Sequence, residues 1–176
     1  MTGCLRLLAP RYRAASVLRL TPAVLRAWGI DAVMLDLDNT LVPWGAPGPS
    51  PAVVAWAAGL RDAGVRACLV SNNLSGRVRA AAAALDLPVA PGRFKPSADK
   101  LRRGLALLGS APDRTAMVGD QLFTDVLAGN RLGVPTVFVG PLAPAEPLRI
   151  RAVRVVERAV LALLVRRGLA PAGPQV

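Results

Sequence analysis

The sequence predicts an α/β fold in three layers, with a central, mainly parallel sheet between two layers of helices. Short apolar runs typical of buried strands alternate along the chain with segments that carry helix-start signals. Several of these runs end directly in polar side chains, as expected where parallel strands meet a ligand at their carboxyl ends. The chain has 176 residues, of which 53% are hydrophobic, and is therefore long enough for one domain with a substantial core.

Five short runs rich in Val, Leu and Ala are predicted as strands, since each is bounded by turn-forming residues. They span residues 32–36, 66–70, 87–90, 115–118 and 134–139. The loop at 43–49, which follows the first run, is rich in Pro and Gly and is therefore predicted to be stiff.

The segments between the strands predict helices. Most of them open on a Ser or Thr suited to the N-cap, and Thr21-Pro22 and Ser50-Pro51 add a proline at the first helical position. The predicted helices span residues 21–28, 50–63, 75–85, 97–108 and 124–132. This alternation favours right-handed crossovers and hence a doubly wound, Rossmann-like sheet.

Positive charge is concentrated at the two ends of the chain. Residues 1–30 hold five Arg and no acidic residue, a charge of +5. Residues 31–144 hold eleven basic and nine acidic residues, a charge of +2, and residues 145–176 hold six Arg and two Glu, a charge of +4. Together they give the net charge of +11. We therefore divide the chain into a basic, helical N-terminal lead-in, a near-neutral core and a basic C-terminal region with these boundaries. Basic ends favour an anionic partner, such as lipid headgroups, nucleic acid or an acidic protein; the alternative is an Arg-rich surface that only aids solubility.

The C-terminal region is predicted to form an amphipathic helix over residues 146–167, followed by a Pro/Gly-rich tail. Arg151, Arg154 and Arg158 line one face of this helix. The other face is apolar and comprises Leu148, Ala152, Val155, Val156, Ala159, Val160, Leu163 and Leu164. We favour a helix that packs its apolar face on the sheet and exposes the arginines; the alternative is a surface helix that meets an anionic membrane.

Cysteine and histidine content restricts the chemistry. Cys4 and Cys68 do not form a disulfide framework, and Cys68 lies in a predicted strand, so we expect a protein of the reducing cytoplasm. No apolar stretch reaches the ~18 residues that a membrane-spanning helix needs. The chain has no histidine, which excludes histidine bases and metal ligands and leaves oxygen ligands, typical of a hard cation such as Mg²⁺.

Polar side chains follow the predicted strands at the point where each strand ends. Asp36 and Asp38 follow the first strand, Ser71 the second and Asp120 the fourth, while Lys95 precedes a helix. Because side chains alternate along a strand, Asp36 and Asp38 point the same way. Unpaired carboxylates cost several kcal/mol when they are buried. The pattern therefore predicts a divalent cation and a nucleophile at this edge of the sheet.

In their order along the chain, these residues resemble the four motifs of the haloacid dehalogenase superfamily of phosphohydrolases. The motifs are matched by Asp36-Leu37-Asp38-Asn39-Thr40, by Ser71, by Lys95-Pro96, and by Gly119-Asp120 with Asp125. The runs at 37–42, 71–73 and 119–126 are most similar to the YqeG-type phosphatases and the phosphatidylglycerophosphate phosphatases. The resemblance spans residues 32–140 and implies the fold of that superfamily, with too little chain between the motifs for a large cap domain.

The resemblance also implies phosphoryl transfer. Asp36 would be the nucleophile that forms an aspartyl phosphate, and Asp38 would be the general acid and base. Mg²⁺ would be held by a carboxylate oxygen of Asp36, the main-chain carbonyl of Asp38 and the side chain of Asp120.

The remaining motif residues would support this chemistry. Ser71, Asn72 and Lys95 would bind the phosphoryl oxygens of the substrate. Asp125 would orient the waters on the metal or the Lys95 ammonium, and Thr40 and Gly119 would hold supporting positions.

Several substrates are compatible with the sequence. An uncapped site suits bulky or surface-bound phosphates, and basic ends suit an anionic interface, so the leading candidate is phosphatidylglycerophosphate, hydrolysed to phosphatidylglycerol. The alternatives are a soluble sugar or nucleotide phosphate, and an RNA- or ribosome-associated binding protein with a vestigial site. We expect a cytoplasmic protein, with peripheral contact to the inner face of the membrane as an open option.

Overall fold

A computed structural model of the chain describes residues 2–73, 75–143 and 147–176. The strands are β1 (Tyr12–Ala14), β2 (Ala32–Leu35), β3 (Arg66–Leu69), β4 (Thr115–Gly119) and β5 (Thr136–Val139). They form one parallel sheet in the order β1-β5-β4-β2-β3. The predicted α/β fold with a mainly parallel sheet is therefore confirmed.

The helices of the described ranges connect and cover these strands. They are α1 (Thr2–Arg6), α2 (Pro22–Ala27), α3 (Pro51–Asp62), α4 (Gly76–Leu85), α5 (Asp99–Leu108), α6 (Leu127–Leu132) and α7 (Leu148–Arg166). A π-helical turn, Leu122–Val126, leads into α6. The predicted caps form on α2 and α3, where the hydroxyl oxygens of Thr21 and Ser50 accept from the third residue of each helix. One helix joins β2 to β3 and two join β3 to β4, so no cap domain lies between them.

The strands send alternate side chains into two apolar cores, one on each face of the sheet. From β2, Val33 and Leu35 face the core covered by α2, α3 and α4, whereas Met34 faces the core covered by α5 and α6. Cys68 is buried in this second core, as predicted, and burial raises the pKa of its thiol to about 12. Helices on both faces give the three-layer arrangement of a doubly wound parallel sheet.

The N-terminal segment contains a strand that sequence patterns did not predict. β1 pairs with β5, and Tyr12 stacks on Trp28 with ring centroids 4.0 Å apart. The C-terminal tail runs along the outer edge of β1, since Gln175 N–H donates to Arg13 O and Ala15 N–H donates to Val176 O. β1 has three residues with Arg13 at its centre and therefore no apolar run that would predict a strand. It is recognised as a strand only because it pairs with β5.

Two local expectations were wrong. Residues 87–90 do not form a strand; they make an isolated bridge with β3, in which Leu69 N–H donates to Pro88 O and Ala90 N–H donates to Leu69 O. Proline has no N–H, which limits the hydrogen bonds this segment can add to a ladder. The helix expected from Ser97 begins at Asp99, because Ser97 Oγ accepts from the Asp99 N–H in a turn before it.

The favoured prediction for α7 is wrong for Arg154 and for most of the apolar face, whereas Arg151 and Arg158 are exposed as expected. Arg154 and Glu157 are buried against the rest of the protein, whereas Leu148, Val155 and Val156 of the apolar face are exposed. The helix was expected to bury that face because apolar burial is the usual source of helix docking. Leu164 of that face is buried here, and the ion pairs and hydrogen bonds of Arg154 and Glu157 add to the contact of the helix with the protein. The expected start at Glu146 lies outside the described residues. None of the described helices is long and apolar enough to cross a membrane.

The strand order determines where the polar side chains meet. From β2 the chain moves to β3 on one side and then returns to β4 on the other side. The carboxyl end of β2 is therefore a topological switch point, flanked by the ends of β3 and β4, and such points form ligand-binding crevices in open parallel sheets.

Gly129→Ala is expected to lower the free energy of unfolding by about 1–3 kcal/mol, because a larger side chain overpacks α6 against the sheet. A Cβ at residue 129 would lie 2.4 Å from Thr136 Cγ2 and 3.3 Å from Met117 Cβ. Gly59→Ala in α3 is the matched control, since nothing lies within 4 Å of its Cβ. It should gain about 0.5–1 kcal/mol through helix propensity. Urea denaturation measures both variants, and equal effects would contradict the close packing of α6.

Candidate active site

Asp36 lies directly after β2 and is buried at the floor of the site. Its Oδ1 accepts a hydrogen bond from Lys95 Nζ at 2.6 Å. Burial raises the pKa of Asp36 to about 7, against the opposing effect of Lys95, and the charges of Asp125 and Asp38 add to the increase. The carboxylate is therefore close to several other acids, with one ammonium beside it.

Lys95 bridges two carboxylates. Its Nζ lies 2.6 Å from Asp36 Oδ1 and 2.6 Å from Asp125 Oδ1. Burial alone would lower the pKa of this lysine, but Asp125 and Asp36 more than offset that effect and raise it. Asn72 holds the loop in place, because its Oδ1 accepts from Lys95 N–H at 2.7 Å and its Nδ2 donates to Lys95 O at 3.0 Å. The Asn72 amide, predicted to bind phosphate, thus binds the Lys95 main chain here.

Three buried carboxylates form a site that could hold a metal ion. Asp36, Asp120 and Asp125 each offer one oxygen, and these oxygens all lie within 4.8 Å of one another. Burial raises the pKa of Asp120 well above its usual value, Asp36 adds to the increase, and Arg154 opposes it. A divalent cation would relieve this repulsion, and carboxylate oxygens are the ligands that hard cations prefer. The side chain of Asp38 is not part of this group.

Asp38 instead faces the side of the cleft formed after β3. Arg77 of α4 donates to its Oδ1 at 2.8 Å, and Asn73 Nδ2 donates to its Oδ2 at 3.3 Å. Arg77 also donates to Pro43 O, which ties α4 to the loop after β2. Sequence analysis missed both Arg77 and Asn73 as site residues. Arg77 carries no distinguishing signal in an Arg-rich chain, and only the pairing of β2 with β3 brings it to Asp38.

The turn after Asp38 is held by side-chain contacts. Asn39 has a φ of +62°, a left-handed conformation that asparagine tolerates better than most residues. Its amide accepts from Ala143 N–H at 2.9 Å and donates to Ala143 O at 3.0 Å, which joins this turn to the segment after β5. Thr40 Oγ1 donates to Asp120 Oδ1 at 3.3 Å, so this turn also orients the acid at the end of β4.

Ser71 is buried at the end of β3 and is positioned from two sides. Its Oγ accepts from Asn73 N–H at 3.0 Å, and its hydroxyl hydrogen has no acceptor among the described residues, so it can bind a ligand oxygen. Its carbonyl oxygen accepts from Lys100 Nζ, which also lies 5.5 Å from the centre of the Phe94 ring. Sequence analysis missed Lys100, although a signal existed. The chain has only two lysines among 22 basic residues, and both are buried at this site.

A pair of charges on α7 supports the β4 side of the site. Arg154 donates to both the carboxylate and the main-chain oxygen of Asp120, and it lies 3.3 Å from Glu157 Oε2. Glu157 Oε1 accepts from Phe123 N–H at 3.0 Å at the start of the π-helical turn that carries Asp125. Sequence analysis assigned Arg154 to a solvated stripe and overlooked Glu157. No local pattern distinguishes them from surface charges.

Gly119, the last residue of β4, leaves space for the Asp125 side chain beside Asp120. A Cβ at residue 119 would lie 2.2 Å from Asp125 Oδ2, so only glycine leaves space for that side chain. Asp125 Oδ2 accepts from Gln121 N–H at 3.1 Å, which closes the turn after Asp120. This contact explains why glycine precedes the acid.

The site opens into a cleft of about 530 Å³. Its floor is polar and includes Asp36 and Lys95, whereas Trp44, Phe94 and Ile150 contribute apolar surface. The indole N–H of Trp44 is buried and has no hydrogen-bond partner among the described residues. The cleft thus combines a charged floor with an apolar rim.

Arg154→Met is expected to lower the free energy of unfolding by about 3 kcal/mol or more, because it leaves two buried carboxylates without their shared cation. The exposed Arg158, one turn further along α7, provides the matched control Arg158→Met, for which we expect a change within about 0.5 kcal/mol. Urea denaturation in the presence of a chelator yields both values. If the two variants unfold alike, Arg154 does not support the site.

Comparison with known proteins identifies the family. The HAD-hydrolase-like family model matches residues 93–141, the segment that carries Lys95, Asp120 and Asp125. Probable phosphatase YqeG from Bacillus subtilis (strain 168) is 33% identical over 153 residues, which cover 87% of this chain and 89% of that protein. Phosphatidylglycerophosphate phosphatase 1, chloroplastic/mitochondrial, from Arabidopsis thaliana is 31% identical over 166 residues, which cover 84% of this chain and 45% of that protein.

A solved structure shares the fold. The cobalt-bound deoxy-D-mannose-octulosonate 8-phosphate phosphatase (YrbI) from Haemophilus influenzae aligns with a TM-score of 0.53 over 78% of this chain and 90% of that chain. The two sequences are 16% identical, so this likeness concerns the fold alone. The match to YqeG extends over most of both lengths and includes both halves of the site. The chain is a phosphatase, and it belongs to the haloacid dehalogenase superfamily, in the capless group of YqeG-like proteins.

Proposed function

We propose that this protein is a Mg²⁺-dependent phosphomonoester hydrolase that acts through an aspartyl phosphate on Asp36, with phosphatidylglycerophosphate as its substrate. The observation that carries the proposal is the position of Asp36 at the floor of an open cleft. There its carboxylate is 2.6 Å from the Lys95 ammonium and within reach of two further carboxylates.

The metal would be held by Asp36 and Asp120, with Asp125 nearby and the main-chain carbonyl of Asp38 as the further ligand that the family resemblance implies. When bound, it would reduce the repulsion between the substrate phosphate and the anionic nucleophile. Carboxylates whose pKa values are raised by burial and mutual repulsion support such a cation.

The reaction would proceed in two displacements. In the first, an oxygen of Asp36 attacks phosphorus, the bond from phosphorus to the ester oxygen breaks, and Asp38 gives its proton to the leaving alkoxide. In the second, Asp38 takes a proton from a water molecule, which attacks the same phosphorus and releases Asp36 and inorganic phosphate. Lys95 and the Ser71 hydroxyl would bind the equatorial oxygens.

Two further observations support a lipid-borne substrate. The apolar rim formed by Trp44, Phe94 and Ile150 suits a phosphate carried on an apolar molecule. The relatives from Arabidopsis thaliana and Chlamydomonas reinhardtii, 31% and 32% identical, are named phosphatidylglycerophosphate phosphatases. A cytoplasmic location, with contact to the inner face of the membrane, belongs to the same proposal. The alternative is a soluble sugar or nucleotide phosphate.

Asp36→Asn is expected to reduce Mg²⁺-dependent hydrolysis of p-nitrophenyl phosphate by about 10³-fold or more, because an amide cannot attack phosphorus. Asp38→Asn should reduce it by about 10²–10⁴-fold through loss of the proton donor. Asp62→Asn, at an exposed position on α3, is the matched control and should retain full activity. Equal rates for the wild type and the Asp36 variant would refute the proposal, as would full activity in a chelator.

Phosphatidylglycerophosphate in detergent micelles should be hydrolysed with a kcat/KM at least about tenfold above that of soluble sugar and nucleotide phosphates, since the apolar rim adds binding energy. Phosphatidic acid and glycerol 3-phosphate in the same panel separate the contribution of the lipid chains from that of the headgroup. A preference for a soluble phosphate would exclude the lipid substrate and leave the phosphatase chemistry intact.

A further inference from the structure

We propose that the outward face of α7 docks on the surface of an anionic lipid bilayer and presents the cleft to it. The outward face comprises Leu148, Ala152, Val155, Val156, Ala159 and Leu163. The inference rests on the proposed function in one respect, namely that the substrate is a lipid; the contacts that carry it lie outside the catalytic residues.

The first argument is the exposure of apolar side chains on one face of the helix. Leu148 is 79% exposed, Val155 65% and Val156 53%, whereas Arg154 and Glu157 on the opposite side are buried. A helix on a soluble surface normally shows the opposite arrangement. α7 packs on the protein through its buried Arg154, Glu157 and Leu164 and its half-buried Ile150 and Leu161. Leu148, Val155 and Val156 lie on the opposite side of the helix. They are therefore available to contact an apolar environment outside the molecule.

The second argument is the charge around this face. Arg151 and Arg158 lie one above the other along one border of the outward face, and Arg166 lies at its C-terminal end. Both Arg151 and Arg158 are exposed, and Glu157, the acid of this helix, is buried. An apolar strip bordered by arginines suits the acyl chains and the anionic headgroups of a bilayer together. A second copy of the chain fits less well, because two such faces would bring their arginines together.

The third argument is the position of the helix beside the cleft. Ile150, on the inner side of α7, lines the cleft, and Leu148 lies two residues before it at the start of the outward face. Phe94 also lines the cleft and is 52% exposed. Because the first turn of α7 contributes both Ile150 to the cleft and Leu148 to the outward face, a bilayer docked on this helix would lie beside the cleft, where a lipid headgroup could enter.

Cosedimentation of the full chain with vesicles tests the proposal. The wild type should bind vesicles of equal parts phosphatidylglycerol and phosphatidylcholine, and it should bind vesicles of phosphatidylcholine alone far less. The double variant Val155→Ser, Val156→Ser should lower the partition coefficient by about tenfold through lost apolar burial. The double variant Arg151→Gln, Arg158→Gln should lower it by about tenfold at low salt. Hydrolysis of p-nitrophenyl phosphate should be unchanged in both.

Matched controls come from other surface helices. Leu107→Ser removes an exposed apolar side chain from α5, and the double variant Arg79→Gln, Arg102→Gln removes the same charge from α4 and α5. Both should bind vesicles like the wild type. Wild-type binding that does not depend on anionic lipid, or undiminished binding by the valine variant, would overturn the proposal. So would a dimer, seen by sedimentation velocity, that the valine variant dissociates.

The assay also separates this proposal from the proposed function. Vesicle binding without phosphatase activity would support the docking face and refute the catalytic assignment. Phosphatase activity without any preference for anionic vesicles would refute the docking face alone.

Discussion

The ion pairs of Lys95 are the interaction on which the rest of the site depends. One ammonium lies 2.6 Å from a carboxylate oxygen of Asp36 and 2.6 Å from one of Asp125, and all three side chains are buried. Without this charge the acids at the ends of β2 and β4 would repel one another in a medium that screens charge poorly. The hydrogen bonds of Asn72 to the Lys95 main chain support these ion pairs, because they hold the loop that positions the ammonium.

Arg154 is a further cation of the site, and it lies on α7, near the C-terminal end of the chain. It binds Asp120 through the side chain and the main chain, while Glu157 beside it binds the turn that carries Asp125. The helix that supplies these charges is thereby held on the protein through a side that carries Arg154 and Glu157 together with the buried Leu164. This orientation leaves Leu148, Val155 and Val156 exposed, so the neutralisation of the site and the apolar surface of α7 have one cause.

Local sequence patterns predict much of the fold. Four of the five expected strands occur, and Thr21 and Ser50 cap helices where their hydroxyl oxygens were expected to do so. The misses also follow a rule. β1 has only three residues, and its pairing with β5 makes it a strand. At 87–90 the segment does pair with β3, but Pro88 has no N–H to donate, and the pairing stays an isolated bridge.

The sequence by itself determined the alternation of strands and helices, the two acids after the first buried strand, and the order of the motif residues, because periodicity and strand ends are local properties. Only the tertiary structure decided which groups neutralise those acids. Arg77 reaches Asp38 across the β2–β3 pair, and Arg154 reaches Asp120 from α7. In an Arg-rich chain the sequence does not distinguish the arginines that pair with site carboxylates from those on the surface. The energy of an ion pair depends on distance and burial, which only the fold determines.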